Sequence, residues 1–186
     1  MVALDKGPRG RRWKASAVSR PFVRSGLVLV ALALTACIPD GLAFVQDERL
    51  EIVSPDPLTT VTTPVTITWE VEDFRITGPD GSSSDDAGYF GVFVDSAPVP
   101  PGESLAWLAR DDRRCLETEG CPDRRYFADR DAFSTTETSF TLRHLPDQDA
   151  YQGHERHEVT VILLDGTGHR LGESAWYVDF FYEREE

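Results

Sequence analysis

Hydrophobic positions follow two regimes along this chain. Leu27 to Leu34 is an unbroken apolar run, Leu-Val-Leu-Val-Ala-Leu-Ala-Leu. From about residue 49 onward, apolar residues instead alternate with polar ones in short stretches separated by turn residues, as in strands that bury one face. The clearest stretch is Val65 to Val71, where Val65, Ile67, Trp69 and Val71 share one face and Thr66, Thr68 and Glu70 the other. Its β-branched residues suit a pleated backbone, and Pro64, with no N–H for a ladder, marks its start. Leu50 and Ile52 predict a weaker first strand, stopped by Ser54-Pro55-Asp56-Pro57. Tyr89 to Val94 predicts the next, after a loop of glycine, serine and aspartate from Gly78 to Gly88. Ser139 to Leu142 predicts a short strand and His157 to Leu164 a stronger one. Asp165-Gly166-Thr167-Gly168 then makes a tight hairpin loop. In the last strand, from about Glu173 to Tyr182, Trp176, Val178, Phe180 and Tyr182 alternate with Ala175, Tyr177, Asp179 and Phe181. No helical period longer than about two turns occurs in this part, so the pattern predicts an all-β sandwich.

Asp95 to Thr136 breaks the strand spacing, and no strand is predicted there. Ala97-Pro98-Val99-Pro100-Pro101 is extended, and Glu103 to Arg110 forms one or two helical turns with Leu105 and Leu108 on one side. Pro122 to Arg130 predicts a short helix with the proline in its first turn. So long an excursion in a small domain is either an interaction surface or a structured cover over an open edge of the sandwich. Its aromatics Trp107, Tyr126 and Phe127 are the candidate partner surface.

Charge divides the 186 residues at the same place as hydropathy. The net charge of −13 is an average over two parts. A basic stretch ending at Arg24 precedes the apolar run, whereas residues 38–186 carry thirty-one acids against twelve basic residues, all arginine, a net of −19. A domain so acidic repels phosphate backbones, which excludes nucleic acid as a partner. The apolar run is about half of the roughly 20 residues a spanning helix needs, and with its basic flank it reads as a secretory signal. Leu34-Thr35-Ala36-Cys37 follows directly and resembles the bacterial lipobox. That resemblance implies removal of residues 1–36 and acylation of Cys37. Each buried methylene contributes about 0.8 kcal/mol, so two or three acyl chains anchor a protein without a spanning helix. The expected organisation is a signal peptide at 1–36, acylated cysteine and tether at 37–48, and one domain at 49–186. At about 3.3–3.6 Å per residue, the tether holds that domain within roughly 40 Å of a bacterial membrane surface, outside the cytoplasm.

In that compartment Cys115 and Cys121, with five residues between them in Cys-Leu-Glu-Thr-Glu-Gly-Cys, predict a disulfide. A metal site is the competing reading, but no second cysteine pair and no histidine lie nearby in sequence.

Val65-Thr66-Ile67-Thr68-Trp69 resembles the second strand of a fibronectin type III domain, whose tryptophan fills the core. Leu145-Pro146, then Val159-Thr160-Val161 and a glycine-bearing hairpin, is similar to that family's later strands. The chain departs from the family where His157 replaces the usual tyrosine, and in the long middle insertion. The resemblance implies an immunoglobulin-like β-sandwich, with short helices and one disulfide in the insertion.

Catalytic and metal patterns are sparse. His154-Glu155-Arg156-His157-Glu158 differs from the zinc-protease His-Glu-x-x-His, because its histidines stand three apart at the start of a strand. That spacing puts them on opposite faces, in a polar and solvated strand end. Asp80, Asp85 and Asp86 lack the alternate spacing of a calcium loop and read as a solvated acidic loop. Asp111-Asp112-Arg113-Arg114 and Asp123-Arg124-Arg125 read as surface ion pairs. No Gly-x-Ser-x-Gly elbow or glycine-rich phosphate cradle is present. The expected role is a lipid-anchored, non-enzymatic module that contacts another envelope component and uses no cofactor or metal. The alternatives are a small-ligand or calcium-binding surface receptor, and an enzyme using His154 or His157.

Overall fold

A computed structural model describes residues 47–150 and 154–184. The predicted signal segment, Cys37 and the tether up to residue 46 lie outside them. In the smaller of two sheets, β1 (Leu50–Ser54) and β7 (Ser139–Leu142) flank β3 (Val65–Val71) in antiparallel pairs. The larger sheet runs in the order β2 (Thr60–Val61), β9 (Arg170–Tyr182), β8 (Glu155–Asp165), β5 (Ala87–Val94). Beyond β5, its far edge is shared end to end by β4 (Arg75–Ile76) and β6 (Ala132–Thr135). β2 is parallel to β9 and β4 to β5, whereas β5, β8 and β9 are antiparallel, as is the β5–β6 pair.

The alternation in β3 translates directly into packing. Val65, Ile67 and Trp69 are buried, while the Thr66 hydroxyl faces outward and bonds that of Thr141 at 2.9 Å. Leu50, Ile67 and Trp69 of the smaller sheet share one core with Phe90, Val92, Val161 and Phe180 of the larger. The Trp69 ring meets Phe90 edge-on at 5.3 Å and ties the two sheets together.

β5 is buried along its whole length, on both faces. Its outer face, with that of β8, supports a second core of Tyr89, Phe93, Ile162 and Leu164 under Val99, Leu105 and Ala132. The excursion thus covers the face of the larger sheet and, through β6, also the edge of β5. This explains why β5 reads Tyr-Phe-Gly-Val-Phe-Val with almost no polar alternation, as expected of a strand covered on both sides. Arg170 reaches the Val99 carbonyl at 2.7 Å and holds the proline-rich segment down. The excursion also ends in a strand, β6, which sequence periodicity does not predict.

The rest of this cap consists of a 3-10 helix (Leu105–Ala109) and two short helices, α1 (Arg113–Leu116) and α2 (Arg124–Ala128). Asp112 caps α1 by accepting the Cys115 N–H at 3.1 Å, and Asp123 caps α2 by accepting that of Tyr126 at 2.8 Å. These acids are helix caps rather than partners of the adjacent arginines; Asp112 pairs instead with Arg130, 3.2 Å away. Pro122 stands before the cap, not in the first turn. Cys115 and Cys121 form a disulfide joining α1 to the segment before α2. In the chain-entropy picture, closing so short a loop stabilises by about 2 kcal/mol.

Candidate interaction site

None of the three aromatics of the expected partner surface projects freely from the cap. Trp107 is half-buried against the outer core, with the Arg110 guanidinium 3.2 Å from its ring centroid. Tyr126 lies beneath Arg130 at 3.6 Å and donates its hydroxyl to Asp112 at 3.2 Å. Phe127 differs: it packs against the outer core and also lines a cleft of about 310 Å³ beside β6.

That cleft straddles an edge strand. Tyr89, Phe127 and Ala132, which line it, belong to the outer core, whereas Phe133 and Phe140 pack on the inner one with rings 5.0 Å apart. Ser134 and Thr135 run between them, Pro79 closes one end, and the exposed Arg124 adds a charge. The Val94 N–H donates to the Asp131 carbonyl toward the β6 side, whereas the next residue, Asp95, donates to Glu158 of β8. Because these groups alternate along a strand, Phe90 and Val92 also face β6 and bond their register partners Thr135 and Phe133. Ala132 and Ser134 therefore turn their N–H and C=O groups away from β5, where no described strand pairs with them; Ala132 is buried under the cap and Ser134 is exposed.

His157 is the second cluster of interest, and its burial corrects the expected solvated strand end. The ring is fully buried between Phe180 and Tyr182. Nδ1 lies 2.7 Å from Asp95 Oδ2, and Nε2 lies 3.6 Å from Glu155 Oε2. Asp95 also accepts the Glu158 N–H at 2.8 Å, and Arg184 holds Glu155 at 2.8 Å. An Asp–His pair suits general-base chemistry only where its far nitrogen reaches a substrate. Here that nitrogen is enclosed, and the pair fastens β5, β8 and the end of β9. His154 is exposed on the opposite face, as the spacing predicts.

No protein-family model, curated protein or solved structure matches this chain. The site is read from its own geometry.

The acidic loop is docked rather than simply solvated. Gly81 donates to the Gly166 carbonyl at 2.8 Å, and a side chain at Gly166 would strike Asp80 and Ser82. Asp80 accepts from Ser82, and Asp86 from Ser84, so each carboxylate is engaged within its own loop. Among the described residues no three histidine, cysteine, aspartate or glutamate side chains gather to hold a metal ion.

Beneath that loop, Asp165 organises the β8–β9 turn by accepting from the Thr167 N–H and hydroxyl and the His169 N–H at 2.6–2.9 Å. Burial pushes the Asp165 carboxyl up, but bonds from Thr167, His169 and Ser83 outweigh it and hold the carboxyl below the usual range. Asp47 is lowered by its hydrogen bond from Arg49, and Asp112 by the Cys115 N–H. Carboxyls lowered in the folded state contribute stability that is present above the unfolded value, about 4, and lost as pH falls through the folded one. Asp131 is raised, by burial and then by Asp95, and works in the opposite direction. Asp80 and Asp86 are lowered too, by bonds from Ser82 and Ser84, and five lowered carboxyls against one raised predict a melting temperature that declines below about pH 4. Asp165→Asn should flatten the decline; an unchanged profile in that variant would remove Asp165 from the explanation.

Proposed function

We propose that this chain is a lipid-anchored, extracytoplasmic envelope protein whose domain is an immunoglobulin-like, fibronectin type III-like sandwich acting as a non-enzymatic interaction module. Several features support the fold reading. A three-stranded β1-β3-β7 sheet faces β9-β8-β5-β6, β2 runs parallel to β9, and Trp69 sits in the shared core. His157 occupies the place of the family's tyrosine and likewise ties a late strand to its surroundings. The Cys115–Cys121 bond accords with an oxidising compartment. Leu34-Thr35-Ala36-Cys37 behind the apolar run supports the anchor. In all-β proteins strand edges are normally covered or blunted. The observation that carries the interaction role is the stapled cap, which leaves an aromatic cleft open beside an unpaired edge.

The test is cross-linking in intact cells followed by recovery of the full chain. A cross-linked envelope protein is expected with the wild type and is lost when Trp107, Tyr126 and Phe127 are all alanine, with the melting temperature measured in parallel. Recovery of the same protein by the folded triple variant, or of none by the wild type, counts against an interaction role for the cap.

A further inference from the structure

We propose that the outward edge of β6 receives an extended segment of a partner polypeptide as an added strand, with apolar side chains in the aromatic cleft and an acidic group on Arg124. This rests on the interaction-module reading and names the chemistry of its partner.

Three observations converge on it. First, Ser134, exposed on β6, presents its N–H and C=O outward, and an extended chain pairs with such groups along a strand edge. Second, side chains of an added strand alternate between the two faces of the sheet, and aromatics line both sides of this edge. Tyr89 and Phe127 wait on the outer side, Phe133 and Phe140 on the inner. A small-molecule pocket has aromatic walls too, but its volume normally runs from about 300 to 1,000 Å³. At about 310 Å³, divided by the edge strand itself, this cleft suits alternating side chains better than one compact ligand. Third, Arg124 makes no ion pair with any described residue, since the neighbouring Asp123 is turned to the Tyr126 N–H. An exposed guanidinium beside an apolar cleft selects a carboxylate, which it binds through two parallel bonds.

A second copy of this chain is the poorer occupant. Pairing two β6 edges brings together two domains that each carry a net charge of −16, and like charges at that proximity repel. An extended segment brings an acid to Arg124 without such a burden.

The experiment selects a phage-displayed library of random linear dodecapeptides on the full chain in detergent. Enriched sequences are expected to alternate apolar and polar residues and to carry one aspartate or glutamate. The best of them, as a synthetic peptide, shifts the Ser134 amide resonance. Ser134→Pro deletes an outward N–H that takes no part in the β5–β6 ladder, and it should weaken binding at least about tenfold, whereas Ser134→Ala stays within about twofold. Arg124→Glu weakens binding about tenfold and is rescued by lysine in place of the peptide's acid. If Ser134→Pro does not fold, the Arg124→Glu rescue and the amide shift decide the matter.

Enriched peptides that bind Ser134→Pro as tightly as wild type overturn the proposal, as do shifts confined to Trp107 and Tyr126; in both cases the interaction-module reading survives. A wild-type dimer in sedimentation that Ser134→Pro dissociates also overturns it, because the edge is then used by a second copy. Absence of any enriched peptide overturns it, and if cross-linking also recovers nothing, the broader reading falls with it.

Discussion

Gly88→Ala abolishes the native fold. A Cβ at this position would lie 1.9 Å from the Leu164 carbonyl oxygen and 2.8 Å from the Asp165 Cα. Both are backbone atoms of β8, and Gly88 is the register partner of Asp165 where the two central strands meet. No rotamer change relieves such a contact; β5 and β8 have to separate. The Gly88 carbonyl also accepts the Thr77 and Gly78 N–H groups at 2.8 and 3.2 Å, so moving β5 strips β4 as well. Overpacking against mobile side chains costs about 1–3 kcal/mol, and a backbone clash belongs above that range, at more than about 4 kcal/mol. Against a total of about 5–15 kcal/mol for a typical domain, that removes most of the stability. The readout is near-ultraviolet circular dichroism with a urea titration. Gly81→Ala measures backbone strain without a clash: nothing lies within 4 Å of its added carbon, and its φ of +79° costs a residue with a side chain about 1–2 kcal/mol. A Gly88→Ala protein that melts like wild type would contradict the β5–β8 register.

Trp69→Ala is the second large effect, at about 3–5 kcal/mol. Trp69 is fully buried and meets Phe90 across the two sheets, so its removal empties the middle of the shared core. Trp69→Phe should cost much less, under about 1.5 kcal/mol. The buried indole N–H has no acceptor among the described residues, and phenylalanine keeps the ring contact while discarding that unmatched donor. Urea midpoints of the two variants measure the difference. Equal losses would mean that a feature only the indole supplies, rather than the ring contact that phenylalanine keeps, decides the site.

What the chain reveals before folding depends on how each residue is buried. β3 is legible because one-sided burial writes itself as alternation, β8 because burial on both faces writes itself as an apolar run, and Asp165-Gly166-Thr167-Gly168 carries its turn chemistry locally. β6 is not legible, since Ala-Phe-Ser-Thr is too short to establish a period, yet it supplies the open edge on which the site depends. The cap's location was encoded indirectly: β5 lacks polar residues for a solvent face, which signals a cover over that face. Asp112 and Asp123 were open to reading as caps, because each stands three residues before the N–H it accepts. The adjacent arginines suggest ion pairs instead, and nothing local decides between the two. Burial of His157 was beyond local reading altogether. Its partner Asp95 stands sixty-two residues earlier and meets it only when β5 and β8 pair. The cleft combines both cases, for Phe127 is a candidate from composition, whereas Phe133, Phe140 and Arg124 join it only through tertiary packing.

The proposed anchor would govern compartment, oxidation state and mature length, and intact mass spectrometry of the protein extracted from cell membranes tests it most directly. The account predicts a chain beginning at Cys37 that carries diacylglycerol, with Cys37→Ala unlipidated and released from the membrane fraction. A native chain that retains residues 1–36, or begins at Cys37 with an unmodified thiol, would contradict it.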